Sequence, residues 1–225
     1  MKKFSNSIPQ RLTGRHKYSF KIAGNLKGKK ILDVGSSYGW FEQHAIESGC
    51  LSITGIEPDK KLFYLAQKTI PKASFKEGSA IKIPEKDSSF DMVVMFDVIE
   101  HIPKGTELIA LSEINRVLKP KGTFVMSTDF DYWLAKIMDP AWYFGHRHYS
   151  KKNLEKMLKS SGFKIKQVEI RGRYFEMTGT ILMYIFKWVL NREIPFKSFF
   201  DKKKDQEFLE DQNGFVTIFV RAEKI

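Results

Sequence analysis

A doubly wound α/β fold with a mostly parallel sheet is predicted by three features of this 225-residue chain. Short apolar runs at 30–34, 51–56, 73–77 and 92–96 alternate with stretches of helical spacing, the pattern of βαβ units. The first run stops on an acid and a glycine-bearing turn, Asp33-Val34-Gly35-Ser36-Ser37-Tyr38-Gly39. The second ends about twenty residues later on another acid, Glu57, a spacing at which a carboxylate reaches the ribose hydroxyls of a nucleotide-like ligand.

Composition bounds the rest. At this length one well-buried domain with an insertion is expected, not two enzyme domains. The lone cysteine, Cys50, excludes an internal disulfide framework and reads as a small core hydrophobe in a reducing compartment. Lys2 and Lys3 precede polar residues where a signal peptide would place its apolar run, so a cytoplasmic location is expected. The net charge of +12 suits nucleic acid or phospholipid headgroups, although lysines spread along the whole chain equally describe a solvated surface.

Residues 1–14 are polar, 17–25 predict a short helix over the sheet edge, and Gly28 breaks the chain before the first strand. That strand, 30–34, is followed by Trp40, Phe41, His44 and Ala45 at helical spacing, with Ser36 and Ser37 as capping residues. A pyrophosphate site wants three glycines, and here only Gly35 and Gly39 are present. Asp33 would also repel phosphate. The same acid suits a ribose-bearing ligand with an ammonium group, which describes S-adenosylmethionine better than NAD. At these residues the chain resembles the class I S-adenosylmethionine-dependent methyltransferases, whose first motif reads acid-x-Gly-x-Gly-x-Gly, with Ser37 in place of the central glycine.

The resemblance implies a Rossmann-like sheet of six parallel strands plus an antiparallel seventh, and S-adenosyl-L-methionine as cofactor with S-adenosyl-L-homocysteine as product. It implies that Asp33, Gly35, Ser36, Ser37, Tyr38 and Gly39 hold the methionine half, and that Glu57, followed by Pro58, holds the ribose. Arg11, Arg15 or Tyr18 is implied at the methionine carboxylate. Gly78-Ser79-Ala80 resembles the adenine-binding segment, with Ser79 where the family often has an acid, so Ser79 and Ala80 are assigned to the adenine. Asp97 and Val98 are assigned to the cofactor floor, because ligands bind outside the carboxyl ends of parallel strands. The stretch 90–101, ending Asp97-Val98-Ile99-Glu100-His101, resembles the fourth-strand signature of the ubiquinone and menaquinone biosynthesis type of methyltransferase. His101 is the candidate catalytic base, the alternative being that it orders this loop.

Pro58-Asp59 opens a helix with Leu62, Phe63, Leu65 and Ala66 as its apolar face. A helix over 105–118 places Leu108, Ile109, Leu111, Ile114 and Leu118 at core spacing, and Lys119-Pro120-Lys121-Gly122 turns into a fifth strand, 122–127. Residues 129–150 mix aromatic and titratable groups past a strand tip and read as a substrate lid, with Trp142, His146, His148 and Tyr149 as candidate substrate residues. Asp129, Asp131, His146 and His148 can be imagined around a metal, but no further ligand spacing supports this and no metal is expected.

A helix at 151–160 and a strand at 164–170 follow, with the strand's antiparallel partner at 215–220. Between them, 171–213 is an insertion. Its apolar run 181–190 is shorter than the roughly 20 residues of a membrane span and carries basic flanks. It reads either as an interfacial helix at 178–190 that touches lipid, or as a helix packed over the site or in a homodimer. Lys202, Lys203 and Lys204 read as a solvated loop. The sequence therefore points to methyl transfer onto a small molecule, lipid-linked or quinone-like. The alternatives are RNA methylation, for which no separate RNA-binding module is visible, and a non-catalytic cofactor-binding protein.

Overall fold

The seven expected strands form one sheet in the computed structural model, which describes residues 11–192, 196–210 and 213–225. Expectations for residues 1–10 fall outside these. The strands are β1 (Lys30–Val34), β2 (Ser52–Glu57), β3 (Ser74–Glu77), β4 (Phe90–Phe96), β5 (Leu118–Asp129), β6 (Phe163–Arg171) and β7 (Thr217–Lys224). Their order is β3-β2-β1-β4-β5-β7-β6. β7 runs antiparallel to both neighbours and the remaining pairs are parallel, as expected. Strand order reverses between β1 and β4, so a crevice opens beyond their carboxyl ends, next to Asp33 and Asp97.

Helices cover both faces. On one lie α1 (Gly14–Ala23) and α2 (Trp40–Glu47), which bury Tyr18, Ile22, Trp40 and Phe41 against Ile31, Val94, Val125 and Phe219. On the other lie α4 (Glu107–Val117) and α6 (Lys151–Ser160), whose Leu111, Ile114, Leu154 and Leu158 pack on Leu32, Val93, Phe124 and Val220. α3 (Lys60–Thr69) is capped by Asp59, whose side chain accepts from Lys61 N and Leu62 N; Pro58 lies just outside the helix.

Two expectations are corrected here. Leu108 and Ile109 are half exposed, because the buried face of α4 runs through Ala110, Leu111, Ile114 and Val117, and at about 100° per residue the two earlier side chains turn away from it. The expected turn at 119–122 is absorbed into β5. Phe90 pairs with Leu118 and Met92 with Thr123, so the extra residues bulge from the ladder.

The insertion contains α7 (Tyr174–Tyr184), a π-helical turn (Ile185–Val189) and α8 (Lys197–Leu209). Lys202, Lys203 and Lys204 thus sit on a helix and not in a loop. α8 is held by two acids spaced two apart. Buried Asp205 accepts from Gly14 N at the start of α1 (2.7 Å) and pairs with Lys17 (3.0 Å). Buried Glu207 accepts from Arg173 N, Phe175 N and Glu176 N at 2.8–3.0 Å, at the start of α7. Helix N-termini leave such donors without intrahelical partners and favour a negative charge. One helix therefore caps two others.

Glu207→Ala is expected to cost about 2–3 kcal/mol of stability, the scale of charge-assisted hydrogen bonds lost from a buried site. Denaturant unfolding would measure it, and limited proteolysis would find the new cleavage confined to the insertion.

Candidate active site

The predicted cofactor residues converge at the carboxyl ends of β1 to β4. Gly35 and Ser36 donate their N–H groups to Ile56 O (2.8 and 3.1 Å), which folds the turn after β1 against β2. Gly35 has φ of 86°, and a Cβ there would stand 2.3 Å from Val98 Cγ2, so only glycine permits this approach. Ser37, in the place of the motif's central glycine, keeps the left-handed conformation with φ of 50°. Its N–H donates to Glu57 Oε2 at 2.8 Å, while Glu57 Oε1 accepts from Asp59 N at 2.9 Å. Both Glu57 oxygens are thus oriented by backbone. Ala80 is buried, and Ser79 Oγ lies 3.5 Å from Ile81 N in the turn beyond β3. Asp97 takes φ of 54° at the tip of β4 and accepts from Ser127 Oγ at 2.7 Å.

Beneath this rim lies a buried acid pair that sequence reasoning only half identified. Asp33 is 3% exposed, and burial together with the Glu57 charge pushes its carboxyl up to about 8. Glu42, on α2, is fully buried with neither oxygen hydrogen-bonded to the protein; burial and then the Asp33 charge raise it well above the usual carboxylate range. Its space comes from Gly55, where a Cβ would lie 2.4 Å from Glu42 Oε1 and 2.7 Å from Ser36 Oγ, itself buried without a partner. The available signal was an acid on the otherwise apolar face of α2.

Above the strand ends, Arg15 on α1 reaches Asp97 (3.2 Å), Asp129 (3.6 Å) and Glu176 on α7 (3.4 Å). Burial opposes its charge, and the three carboxylates outweigh burial and raise its pKa. Of the three residues offered for the methionine carboxylate, only Arg15 stands here. Arg11 is exposed beside Asp205, and Tyr18 is buried against Phe219.

Arg15 lines a cavity of about 370 Å³. His146 and His148 also line it, whereas the neighbouring predicted residues Trp142 and Tyr149 do not. Tyr149 is buried, with its hydroxyl donating to Ile99 O (3.1 Å), and Arg147 donates to Ile99 O, Glu100 O and Ile102 O. Arg147 and Tyr149 therefore fix the loop after β4. Trp142 is part-exposed on a 3-10 turn (Pro140–Phe144).

His146 Nδ1 lies 3.1 Å from Asp129 Oδ2 and 3.4 Å from Asp139 Oδ2, and these two carboxylates lift its pKa to about 10. Its Nε2 is 3.0 Å from His101 Nε2. Burial and then the His146 charge lower His101, so a charged His146 donates to a neutral His101. His148 Nε2 lies 3.0 Å from Asp139 Oδ2. Asp131, weighed as a metal ligand, instead pairs with Lys136, and Asp139 takes its place beside the histidines. Two sets, Glu100, His101, His146 and Asp129, Asp139, His148, bring ligand atoms within 4.8 Å of one another. Protonated His146 balances the second set's charge through Asp129 and Asp139.

The residues fit an adenosyl sulfonium ligand. Glu57 and Asp97 at the strand tips suit a ribose diol and a cation, the glycine turn admits backbone approach, and Asp33 buried beneath them would give up its proton beside a bound cation. The sequence matches a family model described as a methyltransferase domain over residues 9–168. The chain belongs to this methyltransferase-domain family. S-adenosyl-L-methionine is the cofactor that membership implies.

A probable S-adenosylmethionine-dependent methyltransferase of Mycolicibacterium smegmatis is 27% identical over 154 residues, covering 68% of this chain and 59% of that protein. An uncharacterized methyltransferase of Mycobacterium leprae is 35% identical over 110 residues, covering 48% of this chain and 39% of that protein. The chain thus spans less than two thirds of the length of these relatives. Among solved structures, the [4+2]-cyclase SpnF aligns with a TM-score of 0.68 at 19% identity, over 92% of this chain and 80% of that one. An S-adenosylmethionine-dependent methyltransferase from Mesorhizobium loti aligns at 0.66 with 17% identity, over 93% and 97%. At such identities these neighbours establish the fold.

Two outcomes test the electrostatics. An acid whose pKa is raised in the folded state holds a proton that the unfolded chain has released, so it weakens stability as pH rises from the ordinary carboxylate range to about 8. Asp33→Asn is therefore expected to melt several degrees above the wild type at pH 8, each kcal/mol being worth about 2–4 °C, and to lose that advantage below about pH 4. For His146 the slope has the same sign, since its pKa is also raised in the folded state, but here the protonated form is the charged and stabilising one. Its contribution is fully present below its ordinary 6.5 and is lost as pH rises through about 10. In Asp139→Asn, NMR titration should show the His146 imidazole falling back toward 6.5.

Proposed function

We propose that the chain is an S-adenosylmethionine-dependent methyltransferase acting on a small amphiphilic molecule, lipid-linked or quinone-like. The observation that carries the acceptor reading is the cavity beside the strand ends. Its lining combines polar residues, Arg15, Asp97, Asp129 and His146 among them, with the apolar Ala135, Met138, Met177 and Met183. Such a lining accepts a molecule with a polar reacting end and an apolar body. The cavity's five acids, Asp97, Asp129, Asp139, Glu176 and Asp201, already engage Arg15, His146, Lys204 and Lys197, so these cations are not left open to a phosphate backbone as an RNA acceptor would need.

The bound cofactor supplies a methyl carbon that an acceptor oxygen, nitrogen or carbon attacks in line, the S–CH3 electron pair passing to sulfur. The protein's part is to hold the two reactants in line and to exclude water. α1 and α7 cover the strand ends, with Arg15 tying them to β4 and β5. Where the acceptor must lose a proton, the candidate base is His101, whose Nε2 lone pair accepts from His146 at 3.0 Å and has to be released from that contact to take the proton.

Calorimetric titration with S-adenosylmethionine and S-adenosylhomocysteine, beside NAD, tests the cofactor half. The adenosyl ligands are expected to bind and NAD not to. Glu57→Ala should weaken adenosyl binding about tenfold or more, on the scale of charge-assisted hydrogen bonds to the ribose. No binding at millimolar ligand would sink the reading for this chain. With an acceptor in hand, His101→Gln should lower kcat about a hundredfold. A change within a few fold would leave His101 a loop-ordering residue.

A further inference from the structure

The exposed apolar surface is unevenly placed. Most of the large apolar side chains left exposed among the described residues lie on four adjoining elements: α5 (Trp133–Met138), the 3-10 turn, α7 with its π-helical turn, and α8. Trp133, Ile137, Phe144, Ile185, Val189 and Phe196 are between 42% and 91% exposed, with Phe144 the most open. The same elements line the cavity from inside, through Ala135, Met138, Ala141, Thr180, Met183 and Asp201. Met183 belongs to both sets, so the apolar surface borders the cavity mouth. Patches of this kind on a single chain mark a binding surface.

Charge decides between occupants. Over 187–204 the sequence carries six basic residues and only Glu193 and Asp201 as acids. Arg192 and Lys202 are exposed, and Lys197 is 69% exposed while pairing with Asp201. Exposed aromatic and aliphatic side chains interleaved with basic ones are the composition of an interfacial segment lying on anionic lipid. No helix among the described residues is long and apolar enough to cross a membrane. We propose that this face docks on an anionic phospholipid bilayer with the cavity mouth turned toward the lipid, so that the acceptor enters from the membrane. The docking stands on the surface alone, whereas the entry of an acceptor rests on the methyl-transfer reading above.

Cosedimentation with vesicles of phosphatidylcholine, and of phosphatidylcholine mixed with phosphatidylglycerol, tests it. The full chain is expected to pellet with the mixed vesicles and to be released by salt. Arg192→Glu with Lys202→Glu should weaken vesicle partition about tenfold or more, and Phe144→Ser with Val189→Ser by a similar factor. All four positions are exposed, and S-adenosylhomocysteine titration on the same variants reports whether the fold and cofactor site persist. Failure to pellet, or equal pelleting with both vesicle types, would overturn the docking. So would a wild-type dimer in sedimentation velocity that Phe144→Ser with Val189→Ser converts to monomer, since the face would then be a contact between copies. Loss of S-adenosylhomocysteine binding by the wild type would instead strike the methyl-transfer reading and leave the vesicle result standing.

Discussion

One part-buried guanidinium links the elements that cover the strand ends. Arg15 comes from the N-terminal helix, and its three carboxylates come from the tip of β4, the end of β5 and the first turn of α7. Removing this cation would leave the largely buried carboxylates of Asp129 and Glu176 with less compensation, so the ordered arrangement of these four elements depends on that side chain. The dependence runs both ways, since Lys204 on α8 also pairs with Glu176, at 3.1 Å. α8 then caps α1 and α7 through Asp205 and Glu207. The cover over the strand ends is therefore one charge-linked assembly drawn from both ends of the chain.

Beneath that cover a different constraint applies, the placement of acid where water is scarce. Asp33 and Glu42 are buried and interact with one another, no basic group among the described residues offsets their charge, and both are pushed toward the protonated form. A polar group without a partner is costly to bury, and this cost is tolerated where a ligand supplies the missing charge or hydrogen bond. Glu57 differs, because two backbone N–H groups already orient its carboxylate. Beneath one ligand site, then, lie a fixed acceptor and a reserve of unsatisfied acid.

The sheet was legible because its signals are local. β1 and α6 begin and end where apolar runs and capping residues place them, and the antiparallel seventh strand follows from the family pattern. Ser37 shows the limit of motif reading, since a serine keeps the left-handed turn that the central glycine would make easy. The lysines at 202–204 were misread because what fixes α8 lies far away in sequence, in hydrogen bonds to Gly14 and to the start of α7. Glu42 and Gly55 were missed for the same reason. An acid on an apolar helix face has meaning only when the strand residue opposite it lacks a side chain.

What the chain does with its fold is decided at the cavity and not at the sheet. A cyclase and a methyltransferase align over almost the whole chain with nearly equal scores, so the architecture alone does not select a reaction. Past the ends of β4 and β5, His101, His146, Asp129 and Asp139 form a proton-holding cluster, three members of which line a cavity shared with Met138, Met177 and Met183. His101 comes from the loop after β4, Asp129 from the end of β5, and Asp139 and His146 from the segment between β5 and α6, while the insertion adds Met177 and Met183 to the cavity. On the proposed reading, the acceptor is set by how the segments joined through Arg15 shape the space above the strand ends.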